Sequence, residues 1–304
     1  ATNAYNVGVG FAAGKLITTG TNNTLIGGLA GDAITDADEN VAVGTSALST
    51  ETRGSKSTAL GYATLTTQNF TTATDSHNTA VGFDAGVAVT TGIRNVFVGS
   101  LAGDATQTGN DNVAVGKSAL SADCGNNNTA VGESALTLCS AANNTAVGKD
   151  AGSGLTTGSN NVLVGSGAGG GATFTGGNNI GIGYNAINSL TSGANNIAIG
   201  YTAGETTTAI LDAAQCIVIG TNAKTSATNS SYQTAIGYNV TGNADNSFVI
   251  GANTTDSAIA FGATSITAPS DERYKEEIQD ATAGLSFIND LRPVTFKWKK
   301  EKDV

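Results

Sequence analysis

The sequence predicts an all-β fold: a parallel β-solenoid, or β-roll, of about 15 short coils, homotrimeric, followed by a small α+β segment at the carboxyl end. Three observations carry this. A unit of the form Asn-x-small-x-Gly recurs at near-constant spacing. The residues inside each unit alternate with period two in strand-forming types. Composition then breaks abruptly near residue 269. The division follows: 1–268 is a repeat shaft and 269–304 a second domain.

The repeat comes first. Asn40-Val41-Ala42-Val43-Gly44 returns as Asn112-Val113-Ala114-Val115-Gly116 and as Asn196-Ile197-Ala198-Ile199-Gly200. The closing glycines are 10, 27, 44, 61, 82, 99, 116, 132, 148, 165, 183, 200, 220, 237 and 251, and eight of the fourteen intervals are 17 residues. A fixed period of this length marks stacked structural repeats rather than a linker. Coils stacked at the spacing of neighbouring strands make a rod about 70 Å long.

Within a unit, the residue before the glycine is aliphatic from Val9 through Ile250, and the third before it is β-branched except at Phe248. That is the period of a β-strand. The residue between them is small or apolar, so both strand faces are apolar. A 17-residue coil has one interior face only. The second face calls for another surface, and a neighbouring copy of the chain supplies one, which is the reason for expecting a trimer rather than a lone rod.

Corners follow. Asn stands four before the glycine in eleven of fifteen units, including Asn78, Asn95, Asn112, Asn128, Asn144 and Asn161. It is expected to tolerate left-handed backbone and to bond to its counterpart one coil away, forming a ladder. Ala stands three after the glycine in twelve units, suiting a tight inward corner.

Beyond residue 268 the pattern ends. No proline precedes Pro269, while residues 270–304 hold 15 of the 38 charged side chains and the single Trp298. Residues 281–291 read as a short amphipathic helix stopped by Pro293, and 294–299 alternate as a strand.

Composition excludes much chemistry. A net charge of −10 with 12% charged residues is unsuited to neutralising phosphates, so nucleic acid is not an expected partner. No apolar run reaches the roughly 18 residues of a bilayer span, so no membrane insertion is expected. One histidine removes most histidine-dependent triads and metal sites. No metal or cofactor is expected. Asp36, Asp38 and Glu39 share a loop and supply the oxygen ligands Ca²⁺ takes, but solvated loop charges explain them as well. The chain begins at Ala1 without a signal-like segment and reads as a fragment or processed product.

The remaining candidates are local. Cys124 and Cys139 fall in successive coils, close enough for a disulfide, with two free thiols as the other reading; Cys216, at a ladder position, reads as a buried thiol. The 21-residue unit carries an insertion at 66–77 with Phe70 and His77, and the 20-residue unit one at 205–215 with Ile210 and Leu211. Loops leaving a regular scaffold are where binding residues gather, so these four residues are receptor-binding candidates, with neutral insertion drift as the other reading, and the 66–77 insertion is expected to be dispensable for the rod.

Ser270-Asp271-Glu272-Arg273-Tyr274-Lys275, Ile278 and the 291–298 stretch with Leu291-Arg292-Pro293-Val294 and Phe296-Lys297-Trp298 resemble the opening of the peptidase S74 intramolecular chaperone domain of phage tail fibres and tailspikes. The resemblance covers about 35 residues. It implies a segment that helps three chains assemble and then cuts itself off before Ser270, with Ser270 as nucleophile and Lys275 as base. The chain ends at Val304, short of a complete domain of that family, so cleavage is expected of a precursor rather than of this chain. Separately, the repeats resemble the head β-roll of YadA-like trimeric adhesins. Together these imply a homotrimeric phage tail fibre shaft on a virion or extracellular surface, contributing to host attachment and contacting other tail proteins and a host receptor or glycan. The alternatives are a bacterial trimeric surface adhesin and a fibre-borne polysaccharide depolymerase.

Overall fold

The structure is a computed structural model and describes residues 4–171, 173–205 and 212–252, with the backbone alone of 257–260. The chain divides into two units, Ala1–Ala268 and Pro269–Val304. The first is an all-β parallel β-solenoid of about fourteen turns, with no helix among the described residues.

Fifteen strands, from Val7–Val9 to Ser247–Ala252, pair in parallel, each with its neighbours in the preceding and following coils, and Ser257–Ala260 adds a sixteenth, antiparallel strand. Registration follows the repeat residue by residue: Ala130 pairs with Ala114 and Ala146, and Val131 with Val115 and Val147. Slipping by one residue would turn every inward side chain outward, so the alternating pattern fixes the register.

The closing glycines form a column that no other residue fits. Gly44 sits at φ 139°, and a Cβ placed there would lie 2.1 Å from the carbonyl oxygen of Gly61. The same collision recurs up the stack, so successive backbones touch at this corner.

A second rule governs the interior. The middle residue of the strand is buried from Leu25 to Val249, and from Gly31 to Gly204 so is the residue six positions on. Ala42 is matched with Leu48, Ala114 with Leu120, and Ala130 with Leu136, whereas Leu25, Phe97 and Leu163 are matched with Gly31, Gly103 and Gly169. No pair from Leu25/Gly31 to Ala198/Gly204 carries two large side chains; where both are small, as in Ala80/Gly86 and Ala146/Gly152, large side chains of neighbouring coils lie beside the glycine, Leu65 and Phe97 at Gly86 and Leu136 and Leu163 at Gly152. A core this narrow tolerates little change in side-chain volume.

The ladder forms, with one change from the expected chemistry. Each ladder Asn lends its side-chain carbonyl to the backbone N–H of its counterpart one coil on: Asn95, Asn112, Asn128, Asn144 and Asn161 donate in turn to the Oδ1 of Asn78, Asn95, Asn112, Asn128 and Asn144 at 2.9–3.0 Å. The Nδ2 group donates to a carbonyl of the next coil, as from Asn78 to Gly92 at 2.7 Å and from Asn161 to Gly176 at 3.1 Å. Direct amide-to-amide bonds, such as Asn161 to Asn144 at 3.1 Å, are additional. Asn112 Nδ2, in front of a shortened coil, has no protein partner.

Left-handed backbone falls on the residue before the ladder, not on the ladder itself. His77, Arg94, Asp111, Asn127, Asn143 and Asn160 have φ between 51° and 62°. The ladder Asn must keep its amide aimed along the rod, so the sharp bend moves one residue upstream, onto an exposed side chain.

Candidate functional site

The feature with functional consequence is the outward strand face. Residues one and three before each closing glycine point away from the interior and, in a single chain, remain partly or fully exposed along all fifteen parallel strands. Val147 is 38% exposed and Ile250 49%, whereas Ala146 and Val249 between the outward positions are buried. A continuous Val/Ile/Thr face about 70 Å long exceeds what a soluble monomer usually leaves uncovered. The residue after the glycine adds to the exposed apolar surface. Tyr62 stacks on Phe83 with ring centroids 5.4 Å apart, and Tyr184 on Tyr201 at 5.2 Å. The recurrence of an aromatic just past the glycine was the sequence signal for these pairs.

The 66–77 insertion is built into the rod rather than hung on it. Glu51 is fully buried. Its Oε1 accepts the backbone N–H groups of Arg53, Gly54 and Phe70 at 2.9, 2.6 and 3.1 Å, and its Oε2 accepts Gln68 Nε2 at 2.9 Å. Gln68 also donates to Ser57 Oγ at 2.9 Å and accepts from Asn78 Nδ2 at 2.8 Å. Ser57 replaces a ladder Asn, so this cluster bridges the gap in the ladder. The expectation for Phe70 is corrected: its ring is buried, 6% exposed, beside Gly54, and is not offered to a receptor. The expectation that the insertion is dispensable falls with it, because deletion would strip Glu51 of two of its four donors. His77 is exposed, at the left-handed corner before Asn78. Between them, residues 71–73 form the exposed tip, and Thr74–Asp75 pairs with Gly54–Ser55 in a small parallel sheet. The Lys56–Asp75 ion pair closes that edge at 2.5 Å, raising the lysine pKa and lowering that of the aspartate through their hydrogen bond.

Ile210 and Leu211, in the second insertion, lie outside the described residues, as do Ser270, Lys275 and the 281–291 and 294–299 segments. At the described end of that insertion, Asp212 accepts hydrogen bonds from the Thr191 and Ser192 hydroxyls at 2.7 and 2.6 Å, which hold its carboxyl below the ordinary range.

The three thiols are buried and free. Cys124 and Cys139 therefore form no disulfide here; each has its own partner, Thr106 Oγ1 at 3.2 Å from Cys124 Sγ, and Asn144 Nδ2 at 3.5 Å from Cys139 Sγ. Burial pushes the Cys124 pKa up to about 11. In the acidic loop, Asp38 Oδ1 takes the backbone N–H and hydroxyl of Thr21, and Asp36 lies 3.5 Å from Arg53. These carboxylates serve neighbouring coils. No cluster of three or more His, Cys, Asp or Glu side chains disposed to hold a metal ion occurs among the described residues.

A cavity of about 240 Å³ sits at the first coil, lined by Val7, Gly8, Ala13, Gly14, Ile17 and Leu25.

The carboxyl-terminal segment decides the comparison with known proteins. Residues 270–303 match the peptidase S74 family, the chaperone of endosialidase. The match begins at Ser270 and takes in Lys275, and with the solenoid it fits a tail-fibre-like protein carrying a chaperone domain. No curated protein matches the chain.

Proposed function

We propose that this chain is the shaft of a homotrimeric fibre, a phage tail fibre contributing to host attachment, whose assembly is aided by the S74-type segment at its carboxyl end. The observation that carries the reading is the outward apolar face, which runs the length of a rod whose sequence leads into a chaperone of a kind that serves fibre assembly. Three copies packed through this face would each cover the Val and Ile side chains that one copy leaves in water. Burial of apolar area at about 25 cal/mol per Å² makes such a face strongly associating over many coils. The work of the shaft is mechanical, with stiffness coming from the glycine column, the asparagine ladder and the shared interface. In a complete precursor, Ser270 and Lys275 release the chaperone by cleavage before Ser270. The partners are then two further copies, other tail proteins and a host receptor or glycan, and the location is the virion or an extracellular surface.

Labelling tests the face directly. Ile182→Cys places a thiol on the outward column, where one copy alone leaves the isoleucine 37% exposed. In the native protein a maleimide reagent should leave that thiol unmodified until denaturant is added. Prompt stoichiometric labelling of the native protein would defeat the proposal.

A further inference from the structure

The outward face is not uniform, and its gradient has a direction. From Val7 to Val164 its twenty outward positions hold thirteen Val, five Thr, one Leu and a single Ile, Ile26. From Ile180 to Ile250 its ten outward positions hold eight Ile, with Thr234 and Phe248. The inward positions show no matching increase. The middle residues of these last five strands are Gly181, Ala198, Val218, Ala235 and Val249, while the largest middle residues, Leu25, Phe97 and Leu163, lie upstream. The added methylenes therefore do nothing for the interior of the coil that carries them. They lie on the surface, where Ile182 is 37% and Ile250 49% exposed. The last two parallel strands are also longer, at six residues each against three in the coils before them.

We propose that the face from Ile180 to Ile250 is the segment at which three copies of the chain first pair, and that pairing then zips toward the amino-terminal coils. The inference rests on the trimer reading above and adds where assembly starts. Each methylene buried between copies favours association about fourfold, and this segment carries the densest set of them. It is also the part of the shaft nearest in sequence to the S74 match at 270–303. The Val/Thr face upstream holds the rod together once adjacent coils are aligned, but is weaker per coil as a starting point. The occupant of the face is a second and third copy of this chain, matched in register.

Two variants of the full chain separate a nucleus from the rest of the interface. In one, Ile180, Ile182, Ile197 and Ile199 become Val. In the other, Val96, Val98, Val113 and Val115 become Thr. Neither set touches the coil interior, so circular dichroism of the folded product checks that the coils are intact. Trimer appearance is followed by size-exclusion light scattering during cell-free synthesis. Substitutions in a nucleus slow formation, and those elsewhere hasten dissociation. The Ile→Val variant should form trimer at least tenfold more slowly than the unmodified chain. The Val→Thr variant should form it within twofold of the normal rate and dissociate faster on dilution. Equal slowing by both sets, slowing by the Val→Thr set alone, or slowing by neither would overturn the proposal while leaving the trimer intact. Absence of a trimer from the unmodified chain would instead overturn the trimer reading itself.

Discussion

Adjacent asparagines give the sharpest test of how the ladder works. Asn160 and Asn161 differ in the structure by one step of backbone and by their whole role. Asn160 is exposed and takes the left-handed bend at φ 62°. Asn161 is buried, accepts the N–H of Asn179 at 2.9 Å and donates to the carbonyl of Gly176 at 3.1 Å. Replacing Asn161 with Gly strands one buried donor and one buried acceptor, each costing about 1–3 kcal/mol. Lost backbone restraint adds about 0.5–1 kcal/mol. Together these place Asn161→Gly about 2.5–7 kcal/mol below the parent. Asn160→Gly removes no buried partner and puts the residue best suited to positive φ at the bend, so its effect should stay within about 1 kcal/mol. Because solenoids unfold unit by unit, the readout is local. Hydrogen exchange at the Asn179 amide should accelerate at least about seventyfold in Asn161→Gly, the lower bound of that range, and within about fivefold in Asn160→Gly. If Asn160→Gly exposed the Asn179 amide more than Asn161→Gly did, the assignment of bend and ladder would be wrong.

Other consequences follow from the same geometry. Val147→Asp, on the outward face, should leave circular dichroism unchanged while abolishing the trimer, since a charge would be buried once per copy; a normal trimer by light scattering would refute the placement of that face. Leu163→Ala should lower stability by about 2–5 kcal/mol through an unfilled cavity, and adding Gly169→Leu, which recreates the Ala130/Leu136 arrangement, should recover much of the loss in chemical unfolding. The raised pKa of Cys124 makes stability pH-dependent in one direction: the native thiol stays protonated while the unfolded one ionises, so its contribution is full below pH 9.0 and is lost as pH rises toward about 11. A Cys124→Ser variant should show a weaker alkaline decline in unfolding free energy. In a complete precursor, Ser270→Ala should leave the chain uncut, as read by denaturing gel electrophoresis, and continued cutting at the same bond would remove Ser270 from the mechanism.

Much of the fold was legible because a coil repeats its demands. The closing glycine, the alternating strand and the asparagine four residues earlier each recur often enough for their spacing to define the register, as the pairing of Ala114, Ala130 and Ala146 bears out. The bend was harder to place. In doublets such as Asn143-Asn144 and Asn160-Asn161 either residue is chemically able to take positive φ, and only the direction of the amide in three dimensions separates them. The 66–77 insertion misled for a related reason. Its length suggests an exposed loop, but Gln68 and Phe70 turn inward because Glu51 and Ser57 occupy interior and ladder positions filled elsewhere by apolar side chains and Asn. A carboxylate at such a position was the available clue, since a buried charge requires donors from somewhere. The outward face was readable as apolar from the same strand alternation.

The claim on which the account turns is that this face is shared between copies. Native mass spectrometry of the purified chain addresses it most directly. The account predicts a species at three times the chain mass of 30.0 kDa, persisting on dilution. A folded monomer at 30.0 kDa would mean that each coil closes its own core and leaves the Val/Ile face in water, contradicting the account.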